Sequence, residues 1–164
     1  MMEHQSVMLH ETIDLLNVKP DGIYIDGTLG RGGHSGLLAS KLEHGHLYGI
    51  DQDDQALAES AERLKEYSDR ITLIKGNFRE MKALLEPYGI HEADGIMMDL
   101  GVSSPQFDDP ARGFSYRFDS RLDMRMDQTQ KLDAWTVVNT YSAKELSDIF
   151  FRYGEERNAG RIAN

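Results

Sequence analysis

Two spacings of apolar residues take turns along the first hundred positions. "GIYID" (22–26), "HLYGID" (46–51), "ITLIKGNF" (71–78) and "ADGIMMDLG" (93–101) are short, nearly continuous apolar runs of strand length. Between them, apolar positions recur at helical spacing. Met8, Leu9, Ile13, Leu15 and Leu16 predict a first helix, ended by Asn17 and Pro20. Leu37, Leu38 and Leu42 predict a second over 33–45, closed by Gly45. "DQALAESAERLKEYS" (54–68) predicts a third, capped by Asp53 or Asp54, with Ala56, Leu57, Ala61 and Leu64 as its inner stripe. "REMKALLEPYG" (79–89) predicts a fourth with Met81, Leu84 and Leu85 facing in. Strands alternating with helices over short linkers imply an α/β fold: a parallel sheet of about four strands with helices on both faces.

The pattern breaks after Gly101. "SSPQFDDPARGFSYRFDS" (103–120) is rich in proline, glycine and serine and reads as loop. "RLDMRMD" (121–127) alternates Leu122, Met124 and Met126 with charges, a period-two stretch with one apolar face. "LDAWTVVNTY" (132–141) and "SAKELSDIFFRYG" (142–154) read as helices, the second opened by a capping box from Ser142 to Glu145. A further helix begins in "EERNAGRIAN" (155–164). The expected division is 1–102 and 103–164, with no internal repeat.

Charge supports that division. The net charge is −10, but residues 1–100 hold 18 acids and 9 bases while residues 101–164 hold 10 acids and 9 bases. Seven of the last nine bases are arginine. An acidic chain argues against non-specific nucleic-acid binding, so any polyanion contact is expected in the second segment. There is no cysteine, which excludes disulfides and thiolate metal sites; no metal site is expected. The N-terminus has neither a basic start nor a long apolar run, so it does not read as a signal peptide, and no window approaches a membrane span. A cytoplasmic protein without membrane contact is the expectation; a homodimer is left open.

Three carboxylates, Asp26, Asp51 and Asp99, end predicted strands on the side where open α/β sheets bind ligands. After the first strand comes "DGTLGRGGHS" (26–35). Its glycines permit positive φ and close backbone approach to a ligand, although such a turn is also simply a tight turn. Asp51 lies 18 residues beyond Gly33, where an acid accepts hydrogen bonds from ribose hydroxyls; a local helix-capping role is the alternative. The dinucleotide spacing G-x-G-x-x-G fails from Gly30, because the sixth position is Ser35, and from Gly27, because the third is Leu29. Asp26 would oppose a pyrophosphate but suit a cationic amino group, which favours a methionine-bearing cofactor over a nicotinamide. In "GNF" (76–78), Phe78 either stacks on an adenine or is core.

Taken together, "DGTLGRGGHS", "GIDQD", "GNF", "DLGVSSPQFDDPARGFS", "LDMRMD" and "YGEER" resemble the RsmH (MraW) family, in the family's order and over nearly the whole chain. The resemblance implies an S-adenosylmethionine-dependent methyltransferase acting on N4 of a cytidine in small-subunit ribosomal RNA. It implies a Rossmann-like methyltransferase sheet over 1–102, incomplete here, and the start of a helical substrate-recognition insertion over 103–164. It also implies cofactor contacts from Gly32, Gly33, His34, Asp51, Phe78, Asp99 and Gln106. Asp99, with the carbonyls of Leu100 to Ser103, is a candidate acceptor for the N4 proton and so a candidate catalytic group. Phe114 or Tyr116 could hold the target base or belong to the core. Family members are about twice as long, so the chain is expected to be a piece whose fourth strand lies at an open sheet edge. Two other readings stand beside this one: a catalytically silent RNA- or protein-interaction module, and a dinucleotide-binding oxidoreductase.

Overall fold

The computed structural model describes residues 6–164. The start of the chain, on which part of the signal-peptide reading rests, lies outside the described residues. The elements in order are α1 (Leu9–Leu15), β1 (Ile23–Asp26), α2 (Gly33–Ala39), β2 (His46–Asp51), α3 (Asp54–Arg63), β3 (Ile71–Lys75), α4 (Met81–Leu85), β4 (Gly95–Met97), α5 (Ser104–Asp108), α6 (Ala134–Thr140), α7 (Ala143–Gly154) and α8 (Ala159–Ala163). They form two compact units that divide between Val102 and Ser103.

The first unit is a four-stranded parallel sheet in the order β3-β2-β1-β4. Register pairs Asp26 with Gly49 and Met97, and Asp51 with Lys75. Because all strands are parallel, their carboxyl ends lie along one margin. Chain order reverses direction between β1 and β4, the switch point at which ligands bind in such sheets. Pleating sends alternate side chains to opposite faces. Tyr24, Leu47 and Met97 join Ile13 of α1 and Leu38 of α2 in one core, with Leu42. Ile25, Tyr48, Ile50 and Ile74 join Leu85 of α4 in the other, with Met81 and Leu84 packed against it. Helices therefore cover both faces, as the alternation predicts. β4 is an end strand and pairs with β1 alone among the described residues, with Ile96 and Met98 half exposed.

One predicted stripe needs correcting. Asp53, not Asp54, caps α3, its side chain accepting from the Gln55 N–H at 3.0 Å. The inner face of α3 carries Ser60, fully buried, whereas Ala61 is exposed. Alanine counts as apolar in a periodicity, but the position facing the glycine turn needs a hydrogen-bond donor: Ser60 Oγ donates to the Gly30 carbonyl at 2.7 Å.

The second unit departs further from its pattern. The proline-rich stretch holds α5, opened by a capping box in which Gln106 Oε1 accepts from the Ser103 N–H at 3.0 Å. "RLDMRMD" forms no strand, and its alternation is turned inside out: Leu122 and Met124 are exposed while Asp123 is buried. Asp123 turns inward because it is paired, holding the Arg125 guanidinium at 2.6 Å and accepting from the Arg125 N–H. Nearby, Arg121 pairs with buried Asp133 at 2.7 Å and lies over the Trp135 ring, 4.7 Å from its centroid. The buried Arg112 guanidinium donates to the carbonyls of Arg125 and Met126. Gly113, at φ 69°, sits where a side chain would collide with the backbone of Arg121 and Asp123. Polar pairing thus organises this unit's loop, and α7 starts from the predicted Ser142–Glu145 capping box.

Leu38 has no exposed surface and joins α2 to the sheet. Leu38→Ala is expected to cost about 2–5 kcal/mol of unfolding free energy. Chemical denaturation measures this; an unchanged midpoint would remove Leu38 from the core.

Candidate functional site

The site is built on the carboxyl ends of the first unit's strands. Gly30 and Gly32 take φ 53° and 72°, which glycine adopts without strain. The turn is fastened at three points, two on β2 and one on α3. Leu29 N–H donates to the Ile50 carbonyl at 3.0 Å, and the buried Leu29 side chain fills the space beside Gly49. Gly30 N–H donates to Asp51 Oδ2 at 2.8 Å. The third point is the Ser60 hydroxyl on the Gly30 carbonyl.

Asp51 is half-buried, and its other oxygen accepts from the Asp53 N–H at 2.9 Å. Asp53, not Asp51, caps α3, although Asp51 does make the local bond to the Asp53 N–H. Two N–H donors leave a carboxylate about two of its four acceptor positions, enough for a pair of hydroxyl groups.

Asp26 is buried beneath the turn. Its carboxylate accepts from the Ser35 hydroxyl at 2.7 Å and the Thr28 N–H at 3.0 Å. Burial pushes its pKa up to about 6, against the pull of those two hydrogen bonds; the charge of Asp51 adds a smaller upward push. The expected direct amino-group partner is thus enclosed and already doubly hydrogen-bonded, and it braces the turn.

Phe78 follows β3 in a short 3-10 turn whose cap is Asn77; Asn77 Nδ2 also donates to Gln52 Oε1 at 3.0 Å. A Cβ on Gly27 would meet Met98 Cγ at 2.9 Å and Phe78 Cβ at 3.3 Å. Gly27 therefore lets the loops after β3 and β4 close against the end of β1. Asp99 is exposed, and its N–H donates to Thr28 Oγ1 at 2.6 Å. The structure thus gathers Gly32, Gly33, His34, Asp51, Phe78 and Asp99 along one margin of one sheet. Gln106 lies in the second unit, buried and engaged in the α5 capping box. The Ser103 carbonyl, one candidate proton acceptor, accepts from the Gln106 and Phe107 N–H groups instead. Sequence reading missed Thr28 and Ser60, which hold the loops in place. A hydroxyl inside a glycine turn and one on a helix's inner face were the available signals. Among the described residues no cluster of metal-ligating side chains occurs.

The comparisons with known proteins point to methyltransferases. The model of the MraW methylase family matches residues 1–164. Two curated relatives, each a ribosomal RNA small subunit methyltransferase H, come from Lactobacillus gasseri and Exiguobacterium sibiricum. Both are 55% identical, the matches covering 98% and 99% of this chain and 53% and 52% of the relatives. The chain spans about half the length of these relatives. Among solved structures, NSun6 from Pyrococcus horikoshii, crystallised with SFG, is 27% identical with a TM-score of 0.51, over 59% of this chain and 24% of that one. A SAM-dependent O-methyltransferase from Thermotoga maritima shares the fold at 19% identity and a TM-score of 0.50, over 61% of this chain and 38% of that one.

The Asp26 pKa carries a pH dependence. Between the ordinary value of 3.8 and about 6, the folded chain keeps a proton that the unfolded chain releases. This group's contribution to stability is therefore greatest below pH 4 and declines as pH rises to 6. Asp26→Asn should remove that decline, gaining roughly 2–3 kcal/mol on the parent between those limits. Denaturation curves at pH 4 to 7 test it; parallel pH profiles for parent and variant would refute it.

Proposed function

The chain belongs to the MraW methylase family, and from that premise we propose that its first unit binds S-adenosylmethionine and that the protein methylates N4 of a cytidine in small-subunit ribosomal RNA. The observation that carries this is the placing of Asp51. Its half-buried carboxylate stands at the end of β2, fastened to the glycine turn and beside the switch point, with acceptor positions remaining. Both curated relatives are named for methylation of small-subunit ribosomal RNA, and a cytoplasmic setting follows from such a substrate.

The residues fit the cofactor by chemistry. Asp51 accepts ribose hydroxyls, and Phe78 offers a ring to the adenine. The turn at Gly32, Gly33 and His34 meets the amino-acid end, with Asp26 behind it as a buried negative group. S-adenosylmethionine, when bound, supplies a methyl group already activated on a sulfonium. The protein's remaining work is to align the base and manage its proton. The lone pair of cytosine N4 is delocalised into the ring, so an acceptor for an N4 hydrogen raises its nucleophilicity as attack begins. Exposed Asp99 is the side chain for that role; its backbone is fixed through Thr28. Gln106 is proposed as a further cofactor contact on the family resemblance alone.

We assign 1–102 to cofactor binding and 103–164 to substrate recognition. Within the latter, Arg112, Arg121 and Arg125 are engaged internally, which leaves Arg117, Arg152, Arg157 and Arg161 exposed for phosphate. Tyr116 is 99% exposed and Phe114 is not, so Tyr116 is the candidate for holding an unstacked base.

Asp51→Ala is expected to weaken S-adenosylmethionine binding by roughly 1.5–3 kcal/mol, the worth of hydrogen bonds to a charged group. Calorimetry on the intact protein measures it, and an unchanged affinity would overturn the ribose assignment. Tyr116→Ala should raise the KM for RNA while leaving cofactor affinity as it is; an unchanged KM in a labelled-methyl assay would reject the base-holding role.

A further inference from the structure

The segment before α1 does something the cofactor reading does not require. Met8 takes a left-handed conformation at φ 49°, and its carbonyl accepts from the Thr12 N–H, so the chain turns sharply as it enters the helix. α1 itself is anchored by buried Ile13 in the core that holds Leu38 of α2. From this anchor, Ser6 and Val7 run back over the glycine turn. His34 Nε2 donates to the Val7 carbonyl at 3.0 Å. Ser6 Oγ occupies the place where a Cβ on Gly33 would stand. The side chains of Val7 and Met8 are 69% and 61% exposed, so hydrophobic burial does not hold this segment down. Contacts with Gly33 and His34 do.

We propose that Ser6–Met8 is a strap belonging to the cofactor site, and that Ser6 and His34 are positioning residues that fix the glycine turn through it. The inference rests on the functional reading above and deepens it. Gly33 is then glycine because the chain's own Ser6 needs the space. His34 then holds the strap in addition to facing the amino-acid end of the cofactor. Ser35, the next residue, grips buried Asp26, so strap, turn and buried carboxylate form one connected block.

A rescue experiment separates this from direct contact between Gly33 and the cofactor. Gly33 opens α2 in helical conformation, so alanine is allowed there by the backbone and, among the described residues, meets only Ser6. Gly33→Ala in the intact protein should weaken S-adenosylmethionine binding by about tenfold or more, a change of about 1.4 kcal/mol in binding free energy. Adding Ser6→Gly vacates the space and should return most of that affinity. His34→Ala should produce a similar loss, and His34→Gln, which keeps a side-chain donor, a smaller one. If the Gly33→Ala, Ser6→Gly double variant binds no better than Gly33→Ala, the strap proposal is overturned. If Gly33→Ala fails to fold and the double variant folds and binds, the rescue stands. An intact parent protein that binds no S-adenosylmethionine would instead sink the functional reading, and thermal melting of the same variants would still report whether Ser6 and Gly33 are coupled.

Discussion

The hydrogen bond from the Gly30 N–H to the Asp51 carboxylate fixes the geometry on which the rest of the site is built. A turn with two residues at positive φ, packed through Leu29 alone among its buried apolar side chains, needs further anchors. Its place must come from elsewhere, and it comes from the end of β2. The same carboxylate takes the Asp53 N–H, one residue before α3 begins. One side chain therefore sets the turn before α2 and the start of α3 relative to each other. The Ser60 hydroxyl closes the loop from α3 back to the Gly30 carbonyl. A carboxylate in this position is prearranged for a ligand because it is already used by the fold. Its remaining acceptor positions are held in place at no further cost in side-chain entropy.

Much of the first unit was legible in the sequence, because burial on both sheet faces makes strands read as apolar runs. "HLYGID" is β2 to the residue, and Met81, Leu84 and Leu85 face the core as their spacing predicts. What the pattern could not supply was polar pairing. Ser60 and Thr28 are invisible to a hydrophobicity count, yet each accounts for a loop's position. The burial of Asp26 was hidden for the same reason. An acid at a strand's end reads as an exposed ligand group until Ser35 and Thr28 are seen to satisfy it.

The second unit was less legible, and the cause is specific. "RLDMRMD" has the period of a half-buried strand, but the alternation says only that two faces differ. It does not say which one goes in. A charge can take the inner face when a guanidinium and backbone donors satisfy it, as Arg125 satisfies Asp123. Proline and glycine counted toward loop in "SSPQFDDPARG", although Ser103 and Gln106 already spelled a capping box. Local chemistry carried more information there than composition did. The same chemistry occupies Gln106, whose side-chain carbonyl serves the start of α5.

The glycines of the turn show why a motif cannot be read as a set of ligand contacts. Gly30 needs its φ, while a Cβ there would meet nothing closer than the Thr28 carbonyl at 3.8 Å. Gly32 needs its φ and also yields space to Leu64, whose Cδ1 would lie 2.8 Å from a Cβ. Gly33 has no positive φ, and the volume it yields belongs to Ser6. Gly30, Gly32 and Gly33 thus answer to backbone conformation, to core packing and to the space Ser6 takes. A bound cofactor would meet the surface these residues jointly leave, so each substitution tests a different physical requirement. The motif is a record of how tightly the chain packs against itself around this turn.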